Sequence, residues 1–306
     1  MGALATVPAG PVLAVDVGGT KLESALVDEA GRILPGSRVR AATGRDTDPD
    51  RMRRVLAEAV GRTLSVGTAP VRAVGLGSAG PLDHDAGRIH PVNMPLLDGF
   101  PVRDVVAELV PGVDVELGLD GQCIALAELR HGSAGRARSM LGIVVSTGVG
   151  GGLVVEGRLV RGTTGNAGHV GQMHTSEQGA DGNPLTVEEA ASGPASVRWA
   201  RERGWTGSTG EELAEGWAAG HDIPRAAVQR SARTVGRLVA DVWTLADLDV
   251  VVIGGGFSHV APEYIELVTE AAARHATLPY ARSPRVVRAS LGNDAPLVGA
   301  AAIAVG

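Results

Sequence analysis

Short apolar runs punctuated by glycine-rich turns set the pattern of this chain. Val12-Leu13-Ala14-Val15 leads into Asp16, a Gly18-Gly19 pair and Thr20-Lys21, and Leu22, Ser24 and Leu26 then alternate with Ala25 and Val27. Two strands joined this way read as a β-hairpin. Arg32 to Arg40 reads as a third strand. Asp48-Pro49 starts a helix, Asp48 serving as N-cap and Pro49 filling the first turn. Met52, Val55, Leu56, Ala59 and Val60 give that helix an apolar stripe. Val71 to Leu76 is the next strand, followed by a long loop rich in glycine and proline. Val102 to Leu109 is a short helix, Val113 to Leu119 a strand, and a helix runs from about Gly121 to His131.

The second half repeats the opening. Met140 to Ser146 is a strand, TGVGGG a turn, and Leu153 to Val155 a strand, so a strand, a glycine turn with a hydroxyl and a strand recur. This repetition predicts a duplicated nucleotide-binding core, one copy per lobe. Helices are expected at about Thr186 to Arg203, Gly210 to Ala219 and Pro224 to Ala246. In the last, Val228, Ala232, Val235, Val239 and Val242 mark a buried face. Val250 to Ile253 leads into Gly254-Gly255-Gly256-Phe257-Ser258 and a helix from about Ala261 to Ala276. Arg285 to Arg288 is a last strand and Ala295 to Ala304 a last helix.

Composition narrows the class. A chain of 306 residues, 44% hydrophobic and 20% charged, is long enough for two lobes with large cores. Aromatic residues are 3%, so those cores are aliphatic. Net charge is −6 without a basic run, which argues against a nucleic-acid partner. The single cysteine excludes an internal disulfide and a cysteine zinc site. No stretch approaches the ~18 apolar residues of a membrane span, so no membrane partner is expected. The opening MGALATVPAG lacks the charged and apolar regions of a secretion signal, which points to the cytoplasm.

Several positions suggest chemistry. Gly18 and Gly19 let backbone N–H groups lie against an anion, Thr20 adds a hydroxyl and Lys21, the only lysine, a positive charge. Asp16 at the strand end suits a hydrated Mg²⁺. Taken alone, the stretch serves equally as an ordinary hairpin turn. Asn93 sits among apolar neighbours in a long loop, which favours a binding loop. Asp120 stands at a strand end where a helix opens, a place suited to ligand chemistry, although an isolated Asp there reads first as an N-cap. Cys123, among Ile124, Leu126 and Ala127, reads as core packing. The turn at Gly254–Gly256 lets a nucleotide approach the backbone. Residues 161–184 are polar and glycine-rich, with His169, Gln172, His174 and Asp181.

Together these motifs resemble the ROK family (repressors, open reading frames and sugar kinases) of the actin/hexokinase/Hsp70 ATPase superfamily, over essentially the whole chain. DVGGTK at Asp16–Lys21 is similar to the first phosphate motif, STGVGGG at Ser146–Gly152 to the second, and GGGFS at Gly254–Ser258 to the adenosine motif. VNMPLLDGFPV resembles the substrate loop, with Asn93 at its sugar-binding asparagine, and Asp120 falls on the catalytic aspartate. AGHVGQM at Ala167–Met173 is similar to the ROK signature, and EEAASGPA at Glu188–Ala195 to the segment after the zinc cysteines. The resemblance implies a two-lobed, ribonuclease H-like α/β fold with an interlobe cleft. A small lobe would span 1–118, completed by the C-terminal helix 294–306, and a large lobe 119–293.

It further implies an ATP- and Mg²⁺-dependent kinase and a homodimer. Asp120 would be the general base on a primary hydroxyl. Asp16, Gly18, Gly19, Thr20, Lys21, Thr147, Gly148 and Gly150 would hold the nucleotide's phosphates and metal, and Gly254, Gly255 and Gly256 its adenosine. Gly80, Asn93, Asp120, His169, Gln172 and Glu188 would form the sugar pocket. The departures matter as much. The zinc cysteines fall on Gly179, Asp181 and Thr186, so no zinc is expected. His169 replaces the signature glutamate, Gln172 its histidine, and Leu119 the asparagine before the catalytic aspartate. Imidazole donates or accepts where a carboxylate only accepts, and Leu119 does neither. The pocket is therefore expected to favour a modified hexose, an amino sugar such as kanosamine or a C7-cyclitol. An ordinary glucokinase and a silent sugar-binding protein are the alternatives. A ROK repressor would need a DNA-binding domain of roughly 60–80 residues before Asp16.

Overall fold

The computed structural model describes residues 10–306. Along the chain lie β1 (Val12–Val17), β2 (Lys21–Val27), β3 (Val39–Ala42), α1 (Pro49–Val66), β4 (Ala73–Ser78), the short β5 (Leu82–Asp83) and β6 (Arg88–Ile89), α2 (Val102–Leu109), β7 (Val115–Leu119) and α3 (Asp120–His131). Next come β8 (Met140–Val145), β9 (Val149–Val155), β10 (Arg158–Leu159), β11 (His174–Gln178), β12 (Pro184–Thr186), α4 (Val187–Ala191), α5 (Gly193–Arg201), α6 (Gly210–Ala218) and α7 (Asp222–Ala246). β13 (Val250–Gly254), α8 (Tyr264–His275), β14 (Val286–Arg288) and α9 (Ala295–Ala304) complete the order.

The chain divides into two compact units. The first runs to His131 and adds Arg161–Ala167 and Asn293–Gly306; the second holds Gly132–Val160 and Gly168–Gly292. The C-terminal helix thus belongs with the N-terminal unit, but the expected division after residue 118 misplaces α3. That helix packs against α9, and the Arg130 guanidinium donates to the Ala302 carbonyl at 2.8 Å. Residues 161–167, sent to the large lobe by sequence, are held in the first unit by side chains. Asn166 donates to the Leu82 carbonyl at 2.7 Å and accepts from its N–H at 2.7 Å.

Of the expected duplicated core, the sheet topology is present twice. The first sheet has the order β3-β2-β1-β4-β7 and the second β10-β9-β8-β13-β14. In each, a hairpin supplies the antiparallel half, and two parallel strands follow on the other side of its first strand. β1 and β4 are buried along their whole length, and strands inside a sheet covered on both faces favour apolar side chains, which is why they are apolar or glycine but for Asp16 and Ser78. Leu13, Val15, Leu56 and Leu76 centre one aliphatic core, and Ile143, Val235, Val239 and Ile253 the other.

Four elements depart from expectation. β9 begins at Val149 rather than Leu153, so Val149 to Gly152 of the expected TGVGGG turn are strand. The third strand covers only Val39–Ala42, because Pro35 and Gly36 turn the chain first. The helix expected from Thr186 to Arg203 breaks at Ser192, which is extended (φ −63°, ψ 161°) and caps α5 through Ala195 N–H. Pro194 in the first turn of α5 enforces that restart. Within the polar segment, β11 and β12 form a hairpin that their composition does not announce. No helix among the described residues is long and apolar enough to cross a membrane.

Candidate functional site

In the first unit, the β1–β2 turn is closed by the Gly18 N–H, which donates to the Lys21 carbonyl at 2.9 Å. A Cβ on Gly19 would lie 2.1 Å from Nδ2 of Asn93, so the bare glycine lets the Asn93 side chain lie against this turn without moving. Asn93 is exposed, and Gly80 precedes Pro81 through a cis peptide bond. Lys21 pairs with Glu23, whose carboxylate is 1% exposed and also accepts from Arg40 at 2.9 and 3.0 Å. Burial pushes Glu23 upward, but Lys21 and Arg40 outweigh it and hold this acid below its usual range.

Asp16 sits across β1–β2 from Glu23 and beside Gly77 of β4. It is buried, and burial, followed by the negative charge of Asp120, raises its pKa to about 7. Asp120 opens α3, and its Oδ1 accepts from the Gly121 N–H at 2.6 Å. Leu119, whose replacement of a polar residue suggested an altered pocket wall, is 2% exposed and packs in the first unit's core. Cys123 is fully buried as expected; burial, with Asp16 and Asp120 nearby, pushes its thiol well above the ordinary value and leaves it inert.

Sequence reasoning missed Gln122. Its Oε1 accepts from Leu119 N–H at 3.2 Å, and its Nε2 donates to the carbonyls of Gly165 and Ala167 at 3.0 and 2.9 Å. It therefore ties the start of α3 to the strand before it and to residues 165–167. A polar residue in an otherwise apolar helix stripe was the available signal.

In the second unit, the turn between β8 and β9 contains Thr147 and Gly148, and Gly150 follows in β9. Ser146 N–H donates to the Gly148 carbonyl at 2.9 Å. Glu188, near the start of α4, accepts from the Val149 N–H at 2.8 Å through Oε2, and its Oε1 lies 3.5 Å from Gln172 Nε2. Thr186, one of the zinc-cysteine positions, instead caps α4 in a reciprocal capping box with Glu189. Asp181, another, closes the β11–β12 turn by accepting from Asn183 at 3.0 and 2.8 Å. His169 is half-buried, and its Nε2 is buried with no hydrogen-bond partner.

A groove of about 950 Å³ in this unit is lined by Thr147, Gly193, Val197, Gly256, Phe257 and Val260, among others. Its volume and its mix of apolar walls with polar side chains such as Arg198, Ser208 and Thr209 suit a nucleotide-sized ligand. Gly255 shapes it: φ is +91°, and a Cβ there would lie 2.5 Å from the Val145 carbonyl oxygen. Phe257 is braced edge-on by Tyr264 at 6.2 Å. His259 also lines the groove, and burial together with Arg288 lowers its pKa.

A model of the ROK family matches residues 12–306. N-acetylmannosamine kinases of Salmonella newport and Citrobacter koseri are 34% and 35% identical to the chain over 303 and 306 residues, 96% of this chain and 98% of theirs. A ROK hexokinase structure from Thermus thermophilus is similar at a TM-score of 0.85 and 35% identity, covering 96% of this chain and 98% of its own. A ROK family glucokinase from Streptomyces griseus, in complex with glucose and AMPPNP, is similar at a TM-score of 0.81 and 28% identity, covering 97% and 99%.

Proposed function

The chain belongs to the ROK family, with the actin-like ATPase fold of its sugar kinases, and is an ATP-dependent carbohydrate kinase; we propose that its acceptor is an amino sugar, an N-acylated hexosamine before any other. The observation that carries the substrate reading is the donor set of the second unit. His169 Nε2 is buried without a partner, and the Gln172 amide stands next to the Glu188 carboxylate. An imidazole and a primary amide can each donate to an acetamido carbonyl, which an acceptor-only glutamate in the place of His169 could not do. The full-length relatives named as N-acetylmannosamine kinases support the same class. Kanosamine shares the amino-sugar chemistry and remains in that class; a C7-cyclitol has less to recommend it, since Leu119 is core packing.

Asp120 would take the proton from the substrate's primary hydroxyl as that oxygen attacks the γ-phosphorus, and its hydrogen bond to Gly121 N–H orients the carboxylate. Asn93, held against Gly19, would present its amide to a ring hydroxyl. Thr147, Gly148 and Gly150 would hold phosphate oxygens, and the groove lined by Gly256, just after Gly254 and Gly255, the adenosine. A buried carboxylate raised to about 7 beside a second acid is an electrostatic environment that a cation relieves, so Asp16 fits Mg²⁺. Bound there, Mg²⁺ would neutralise phosphate charge. Lys21, engaged by Glu23, would turn to phosphate only by sharing that partner. We place the enzyme in the cytoplasm, as its composition suggests, and infer a homodimer, as the family resemblance suggests.

ATP turnover with product mass, measured on N-acetylmannosamine, N-acetylglucosamine, kanosamine, a C7-cyclitol, glucose and mannose, tests this reading. Preference for an amino sugar supports it. Glucose as the best substrate would make the chain an ordinary glucokinase, and nucleotide binding without turnover on any sugar would make it a silent binder.

A further inference from the structure

Arg230 lies within α7 with 7% of its side chain exposed. A guanidinium stays charged at every working pH, so burying one is unfavourable unless its donors are matched. They are matched here. Nε donates to Glu177 Oε2 on β11 at 2.7 Å, Nη2 stands 2.7 Å from the same oxygen, and Nη1 donates to the Ala190 carbonyl at 2.6 Å. The next residue, Ser231, donates from Oγ to the Ala191 carbonyl at 2.7 Å and bonds the buried Tyr264 hydroxyl at 2.8 Å.

Ala190 and Ala191 are the last residues of α4, a five-residue helix that has Glu188 as its second residue. So short a helix does not hold its own place, and its final carbonyls have no partners within it. Two adjacent residues of the long α7 take those carbonyls. The same guanidinium grips β11, and the Val187 N–H donates to the Met173 carbonyl at 2.8 Å, joining α4 to the residue after Gln172.

We propose that Arg230 is a positioning residue for the sugar pocket. By joining Glu177 and the Ala190 carbonyl it anchors α4 and the β11–β12 hairpin on α7, and so sets where Glu188 and Gln172 meet the acceptor. The inference rests on the reading of those two residues as sugar contacts. The rigid, planar guanidinium suits the task better than a lysine ammonium, whose compact head on a flexible stem holds both acceptors less firmly.

The test compares the full-length wild type with Arg230→Met, Arg230→Lys and Glu177→Gln. It measures the KM of the best sugar, the KM of ATP, kcat, and hydrogen exchange over residues 174–191. Arg230→Met is expected to raise the sugar KM about 10-fold or more while the ATP KM stays within about twofold, and to speed exchange in that segment above the rest of the chain. Arg230→Lys recovers part of the loss, and Glu177→Gln, altering a half-exposed partner, gives a smaller shift in the same direction. A folded Arg230→Met with an unchanged sugar KM overturns the proposal, as does a fall in kcat with both KM values fixed. If Arg230→Met fails to fold, Glu177→Gln decides by the same criteria. Should the wild type phosphorylate no sugar, the kinase reading fails by itself; the anchor is then judged by exchange alone, and unaltered exchange over 174–191 in Glu177→Gln overturns it.

Discussion

Glu188 Oε2 accepts the Val149 backbone N–H at 2.8 Å, so a carboxylate assigned to the sugar is also bonded into the glycine turn assigned to phosphate. On those assignments, one residue would couple two substrate sites within the second unit. Glu188→Ala leaves Val149 N–H without its charged acceptor, a loss of about 1.5–3 kcal/mol, or roughly 10- to 150-fold. The expected outcome is a rise in KM for both sugar and ATP. Glu188→Gln keeps an acceptor for Val149 and should raise the sugar KM much more than the ATP KM. Steady-state kinetics with each substrate varied in turn separates the two patterns.

Asp120→Asn retains the shape at the head of α3 but removes the base. A positioned general base contributes about 10²–10⁴-fold, so kcat should fall by that order. Nucleotide affinity, read by equilibrium binding of a fluorescent ATP analogue, should hold, because the groove is built from other residues. Parallel loss of binding would instead give Asp120 a role in holding the nucleotide.

How much of this was legible beforehand depends on the kind of interaction. The duplicated sheet followed from local signals, since apolar runs and glycine turns act over a few residues and recur in both halves. Asp48 as an N-cap and Cys123 as core packing followed for the same reason. What was illegible lies in side chains whose partners are far along the chain. Gln122 and Asn166 draw residues 161–167 into the first unit, and α3 joins it through α9; no periodicity encodes such contacts. Leu119 misled because the motif treats its position as a pocket wall, whereas the alternation of β7 turns it into the core. The β11–β12 hairpin escaped because its strands are polar and short, and its anchor, Arg230, is about 50 residues away on α7.

Gly255 carries a prediction about the nucleotide groove. Its positive φ disfavours any side chain, and an added Cβ would collide with the Val145 backbone, which as part of the central β8 cannot step aside. Gly255→Ala should cost about 1–3 kcal/mol from the backbone conformation alone, plus the collision. Differential scanning fluorimetry should show a Tm lower by several degrees, and the stabilisation normally added by ATP should shrink or vanish. An equal ATP-induced shift in mutant and wild type would separate this turn from nucleotide binding.

Asp16 makes the stability of the ligand-free protein depend on pH. In the folded chain its pKa is raised to about 7, whereas unfolded it returns to the ordinary value of 3.8. Between these values the folded state holds a proton that the unfolded state has lost, so stability contributed at this site falls as pH rises from about 4 to about 7 and is level above. Asp16→Asn, always neutral, escapes that penalty. The mutant should melt higher than the wild type at pH 8, with the gap closing steadily toward pH 5. Thermal melts of both proteins at half-unit intervals, without nucleotide or divalent cation, measure the gap directly. A gap that does not change with pH would mean that Asp16 is ionised throughout, and that Lys21, the one cation lowering its pKa, outweighs its burial.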